Sequence, residues 1–109
     1  MHIHVSNAWS AARRLSLKEQ GTEVGHAFVH VMKDDDHTRP FASIENVWVD
    51  PARRGESLGE KLVEGAVKLA KTFDCYKIVL SSRDGRAKLH AWYEELGFTK
   101  HGSSFRMDL

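Results

Sequence analysis

Residues Val47–Ala70, VWVDPARRGESLGEKLVEGAVKLA, join a strand to a helix through a turn rich in arginine and glycine. Val47, Trp48 and Val49 are strand formers, and Asp50-Pro51 stops them, because proline lacks an N–H and restricts the residue before it. From Leu58 the apolar residues Leu62, Ala66, Leu69 and Phe73 recur at helical spacing. Lys61, Glu64, Lys68 and Lys71 fall on the other side, with Glu64 four residues before Lys68. Between strand and helix lies Arg53-Arg54-Gly55-Glu56-Ser57-Leu58-Gly59. The first N–H groups of a helix lack intrahelical partners and carry the positive end of its dipole. Gly55 and Gly59 let an anion come close to the backbone and Arg54 adds charge, so the turn suits a phosphate group. It is not a Walker loop, since the Gly-Lys-Ser/Thr ending is missing. A plain connection fits equally well, with Ser57 as N-cap and Glu60 three residues on completing a capping box.

Working outward, Ala11–Glu19, Gln20-Gly21-Thr22 and Val24–Met32 read as a hairpin, the second arm alternating Gly25, Ala27, Val29 and Val31 against His26, Phe28, His30 and Met32. Lys33–Pro40 is a polar loop, and Phe41–Val49 is the next strand. Tyr76–Ser81 reads as a buried strand, Asp84 as an N-cap, Arg86–Leu96 as a second helix and Gly97 as its left-handed stop. Phe105, Met107 and Leu109 alternate in the tail, which predicts a final hairpin over Phe98–Leu109.

A length of 109 residues predicts one domain over 1–109. Sixteen basic and fifteen acidic residues leave a formal charge of +1 and no basic run, which speaks against nucleic acid. No apolar stretch approaches the roughly 20 residues that cross a bilayer. The lone Cys75 has no internal disulfide partner, and Met1-His2-Ile3-His4 has neither basic leader nor apolar run, so a cytoplasmic location is expected. His2 with His4 and His26 with His30 share strand faces, but a catalytic zinc usually takes three protein ligands and no spacing supplies the third, so no metal is expected.

The order strand Ile44–Val49, Asp50-Pro51-x-x-Arg54-Gly55, helix, strand to Ser82, then Ala91-Trp92-Tyr93-Glu94-Glu95-Leu96-Gly97-Phe98 resembles the GNAT superfamily of N-acetyltransferases over roughly residues 22–109. Ile44-Glu45, Cys75-Tyr76-Lys77-Ile78, Arg86 and His90 are most similar to its amino-sugar branch, which includes glucosamine-6-phosphate N-acetyltransferases. The resemblance implies an α/β (α+β) fold: a mixed, mostly antiparallel twisted sheet with a β-α-β-α carboxy-terminal half, here with the amino-terminal helices missing or shortened. It implies acetyl-coenzyme A as co-substrate and direct transfer of acetyl to a primary amine of a small molecule or peptide.

In that resemblance Arg54, Gly55, Glu56, Ser57, Leu58 and Gly59 cradle the diphosphate, Ser57 standing where the family has its middle glycine. Val47, Trp48 and Val49 run beside the pantetheine arm. Tyr93 matches the tyrosine beside the thioester sulfur and would protonate the departing thiolate. Glu45 would take the ammonium proton, and a backbone N–H near Val47 would face the oxyanion if the strand bulges there. The short amino end implies an acceptor wall supplied by a partner copy, hence a homodimer. Two alternatives stand beside this reading: a catalytically weak acetyl-coenzyme A-binding regulatory module, and a structural α/β interaction domain.

Overall fold

The computed structural model describes residues 1–109, and its regular elements begin with β1 (Ser10–Glu19) and β2 (Thr22–Met32). Gln20 and Gly21 between them both take positive φ, 50° and 81°, the backbone of a two-residue hairpin turn whose twist matches the strands. β3 (Phe41–Val49) pairs antiparallel with β2. A single 3-10 turn (Pro51–Arg53) then leads to α1 (Leu58–Thr72), β4 (Ile78–Leu80) and α2 (Ala87–Leu96). β4 lies parallel to β3, giving a four-stranded mixed sheet in the order β1-β2-β3-β4. This is the expected α/β arrangement, with a β-α-β-α second half.

Alternation on β2 explains why α1 packs where it does. Ala27, Val29 and Val31 are fully buried beneath the helix with Ala42 and Ile44 of β3. From the helix come Leu62, Val63, Ala66 and Ala70, the apolar stripe of its sequence. Small residues set the distance of approach. At Gly65 a Cβ would lie 3.3 Å from the Leu15 side chain. The opposite sheet face carries His26, Phe28, His30, Ser43 and Glu45, half-buried or exposed, and no helix of the chain lies on it. Residues 1–9 form no regular element.

Four local expectations are corrected. β4 spans three half-buried residues rather than Tyr76–Ser81, although Tyr76 N still donates to Pro40 O at 2.9 Å. Asp84 does not cap α2. Gly85 at φ +86° inserts a turn after it, so Arg86 takes the cap position without a side-chain bond and the helix starts at Ala87. The tail forms no hairpin: Phe105, Met107 and Leu109 are exposed. Alternation makes a strand only where a partner edge supplies its hydrogen bonds, and β4 extends over just three residues. Ser57 holds the N-cap place of α1 but forms no capping box, for a reason given below.

Leu62 is 2 % exposed at the centre of this core. Leu62→Ala is expected to lower the unfolding free energy by roughly 2–5 kcal/mol through lost burial and a residual cavity, read as a shift of the urea midpoint at constant slope.

Candidate active site

The site begins with one backbone irregularity. His26 of β2 stands opposite Trp48 and Phe28 opposite Glu45, so Ala27 alone faces the two residues Asn46 and Val47. That is a β-bulge, and Asn46 carries it at φ 51°, a left-handed conformation that asparagine tolerates better than most side chains. On the other side of β3 the ladder to β4 ends at the pair Ile44–Leu80. Beyond it β3 has no partner on that side, and Val47 and Trp48 are exposed. The two parallel strands therefore part at the bulge. A cavity of about 260 Å³ occupies the opening, with Glu45, Asn46, Val47, Arg86 and Tyr93 among its walls.

The turn expected to hold a phosphate faces the same end of the sheet. Asp50 accepts from Ala52 N at 3.0 Å and Pro51 begins the 3-10 turn, where its missing N–H costs nothing. Arg53 then fastens the turn: it donates to Glu19 at the end of β1 at 2.8 Å and to both Glu56 oxygens at 2.8 and 2.9 Å. These hydrogen bonds lower the Glu56 pKa and raise that of Arg53. With Arg53 so engaged, Arg54 is the cation of the pair that makes no hydrogen bond or ion pair. Gly55 lies at φ +89°, a backbone that favours glycine.

Ser57 resolves the choice between a capped helix and an open one. Its φ and ψ are 61° and 27°, whereas a capping residue has extended backbone, and its side chain makes no cap hydrogen bond. The first amide to donate into α1 is that of Lys61, to Ser57 O at 3.2 Å. The amides of Leu58, Gly59 and Glu60 come before it and have no intrahelical acceptor. The expected Ser57–Glu60 box is thus absent.

Tyr93 reaches the cavity from α2, held in an aromatic group with Trp92 at 5.5 Å and Phe98 at 5.9 Å between ring centroids. Gly97 at φ +107° ends α2 as expected and lets Phe98 N bond back to Tyr93 O at 3.0 Å. Burial pushes the Tyr93 phenol above its usual pKa, Arg86 pulls it down and Glu60 pushes it up. The net effect keeps the hydroxyl protonated. Glu45 stands on the helix-free face, exposed at the cavity wall, where Ser43 Oγ donates to it at 2.8 Å. Val49 turns inward under α1, with Trp48 on the opposite face. Cys75 is a partly buried neighbour of the core, and burial raises its pKa, which opposes a nucleophilic thiolate.

Several contributors escaped the sequence reading. Asn46 could have been found, since asparagine inside a strand run signals a left-handed residue. The Arg53 clamp could not, because Glu19 lies 34 residues away. On the helix-free face Glu23 accepts from Arg14 at 2.8 Å and Ser16 at 2.9 Å, and His26, 3.2 Å from Glu23, stacks on Trp48 at 5.2 Å. The hydrogen bond from Arg14 is the main reason that the Glu23 pKa falls from 4.5 to about 2. No group of three or more His, Cys, Asp or Glu residues is placed to hold a metal.

An antiparallel meander, a parallel β3-α1-β4 unit and a bulge that splits the two define a split-sheet α/β fold. Within that class the chain belongs to the acetyltransferase (GNAT) family, whose sequence pattern matches residues 2–98. The glucosamine 6-phosphate N-acetyltransferase of Trypanosoma brucei brucei is 38% identical over 71 residues, which are 65% of this chain and 46% of that protein. A Bacillus subtilis (strain 168) protein provisionally named as a ribosomal protein bS18-alanine N-acetyltransferase is 30% identical over 91 residues, 84% of this chain and 56% of that protein. Among solved structures, an acetyltransferase of Trypanosoma brucei superposes with a TM-score of 0.76 at 31% identity, over 94% of this chain and 70% of that one. The chain spans about half the length of the curated relatives it matches.

Two outcomes check this geometry. Ser57→Gly should leave unfolding free energy unchanged or raise it by ~1 kcal/mol, since glycine adopts left-handed backbone freely and no cap is lost. A working Ser57 cap would instead make the variant a few tenths of a kcal/mol less stable. For Glu23, the depressed folded pKa gives stability that is full above pH 4.5 and is lost as pH falls from 4.5 toward about 2. Glu23→Gln should flatten that acid limb in thermal melts taken across the interval.

Proposed function

We propose that this chain moves acetyl from acetyl-coenzyme A directly to a primary amine. One observation carries the proposal: the strand bulge at Asn46–Val47 and the uncapped start of α1 both lie at the end of β3, where Gly59 comes up against Val49. A coenzyme A molecule needs both features at once, amides for its diphosphate and an open strand for its pantetheine arm. The family match supports the same donor.

In this reading the amides of Leu58, Gly59 and Glu60 meet the diphosphate with the helix dipole behind them. Gly55, Glu56 and Ser57 shape the turn, and Arg54 adds its charge. Val47, Trp48 and Val49 line the arm through their backbone, with the bulged Val47 amide aimed at the thioester oxygen. Glu45 takes a proton from the ammonium form of the acceptor, which must be neutral to attack. The nitrogen adds to the carbonyl carbon, the oxygen takes negative charge, and the carbon–sulfur bond breaks. Tyr93, kept protonated by burial, then protonates the thiolate. No covalent enzyme intermediate and no metal are needed.

The acceptor is read as a small molecule or a peptide amine. Arg83 and Arg86 border the cavity near Glu45, a pattern suited to an amine that also bears a phosphate, in keeping with the name of the trypanosome relative. We further propose that residues 1–109 act as one unit and that a second copy, in a homodimer, covers the helix-free sheet face beside Glu45 and Trp48. We also propose a cytoplasmic setting, without nucleic acid or membrane as partner. No helix is long and apolar enough to cross a bilayer.

Tyr93→Phe should reduce kcat by roughly a hundredfold or more while acetyl-coenzyme A still binds, as expected for loss of a general acid. Thiol release across a panel of amino sugars, amino-sugar phosphates, polyamines and peptides reads turnover, and thermal shift reads binding. Unchanged turnover in the variant, or no thiol release with any amine, would count against the transferase reading.

A further inference from the structure

One pair of side chains takes no part in direct transfer. Ser82 follows β4, and its Oγ lies 3.1 Å from Nε2 of His90 on α2. Both residues are half-buried. His90 stands one helical turn before Tyr93, and the two rings stack with centroids 6.5 Å apart. Ser82 lines the cleft that holds Val47 and Tyr93, and also the wider groove of about 890 Å³ along β4. His90 lines only that groove, so Ser82 stands between the cleft and the imidazole. A serine hydroxyl is a weak nucleophile until a base within hydrogen-bond reach can take its proton, and 3.1 Å is within that reach. When the His90 proton is on Nδ1, Nε2 is free to accept from the Ser82 hydroxyl.

We propose that Ser82 is a second acyl acceptor, loaded from the thioester when no amine is present, and that the chain thereby hydrolyses acyl-coenzyme A slowly. The inference rests on the coenzyme occupying the cleft as described above. Ser82 Oγ bonds to the carbonyl carbon while its proton passes to His90 Nε2, and the carbonyl oxygen takes negative charge near the Val47 amide. The carbon–sulfur bond then breaks, and the His90 proton goes to the departing thiolate, leaving an acetyl ester on Ser82. In the second half His90 takes a proton from water, the resulting hydroxide adds to the ester carbonyl, and the Ser82–acyl bond breaks. Ser82 regains its proton from His90, and acetic acid leaves and ionises. No carboxylate bonds to His90 Nδ1. Without that orienting partner the base is less well held than in a complete triad, which keeps the reaction slow.

The test uses the whole chain with acetyl-coenzyme A in the absence of amine and, separately, with p-nitrophenyl acetate. Peptide mapping by mass spectrometry should find one acetyl group on Ser82, accompanied by steady thiol release. Ser82→Ala should abolish both, and His90→Ala should slow loading by roughly a hundredfold. Thermal melts confirm that the variants fold. If the alanine variant unfolds, Ser82→Cys replaces it and should load as a thioester. Acetyl found only on lysines or the amino terminus, or wild-type hydrolysis by Ser82→Ala, would overturn the inference. Loading by neither donor, while acetyl-coenzyme A still raises the melting temperature, overturns it and leaves direct transfer standing. Loading by p-nitrophenyl acetate with no thermal shift from acetyl-coenzyme A overturns the coenzyme reading and, with it, loading from the thioester, leaving only the activated serine.

Discussion

Placing Asn46 in left-handed backbone inserts one residue of β3 against Ala27, and the geometry of the site follows from that insertion. Before the bulge Ala42 and Ile44 are tied on one side to β2 and on the other to β4, and their side chains are buried under α1. After it β3 stays bonded to β2 but has lost β4, so one edge of its backbone is left free within the sheet. An unpaired strand edge is ordinarily a hazard, because its amides and carbonyls invite another chain. Here the edge is short and opens into a cleft where an elongated ligand could complete it.

The turn before α1 is held to the sheet by charge. Arg53 links the turn to β1 through Glu19 and to its own loop through Glu56, so the hairpin end and the helix start form one assembly. Two adjacent arginines thus differ, Arg53 fixing the loop and Arg54 making no hydrogen bond or ion pair. The left-handed Ser57 adds a second consequence: the side chain best suited to quench the helix amides makes no hydrogen bond to them. A capped α1 would be a sound connection and a poor anion site. The uncapped one is strained locally, and strain of this kind is characteristic of sites that wait for a partner.

Much of this was legible in the residues. Helix α1 was, because its stripe of Leu62, Ala66 and Leu69 has one period and one plausible partner surface. The β1–β2 hairpin was, because Gln20-Gly21 interrupts two alternating runs. The Val47–Gly59 and Tyr93 motifs pointed to the correct family. Caps and tail were misread for a shared reason. Ser57, Asp84 and the Phe105–Leu109 alternation are permissive signals, whose outcome depends on backbone angles or partner edges set elsewhere in the chain. Gly85 displaced the cap at Asp84, and no edge met the tail. The Arg53 clamp and the Ser82–His90 pair join residues far apart in sequence, and no local pattern encodes such distances.

The central claim is that the bulged strand and the bare end of α1 together hold the coenzyme. Titration of the isotopically labelled chain with acetyl-coenzyme A, followed by amide NMR and hydrogen exchange, tests it residue by residue. Resonances of Val47 and of Gly55 through Glu60 should move together with a single affinity, and their amides should exchange more slowly in the complex. Unchanged resonances and exchange at these positions under saturating coenzyme, or changes confined to the tail and the groove along β4, would contradict it.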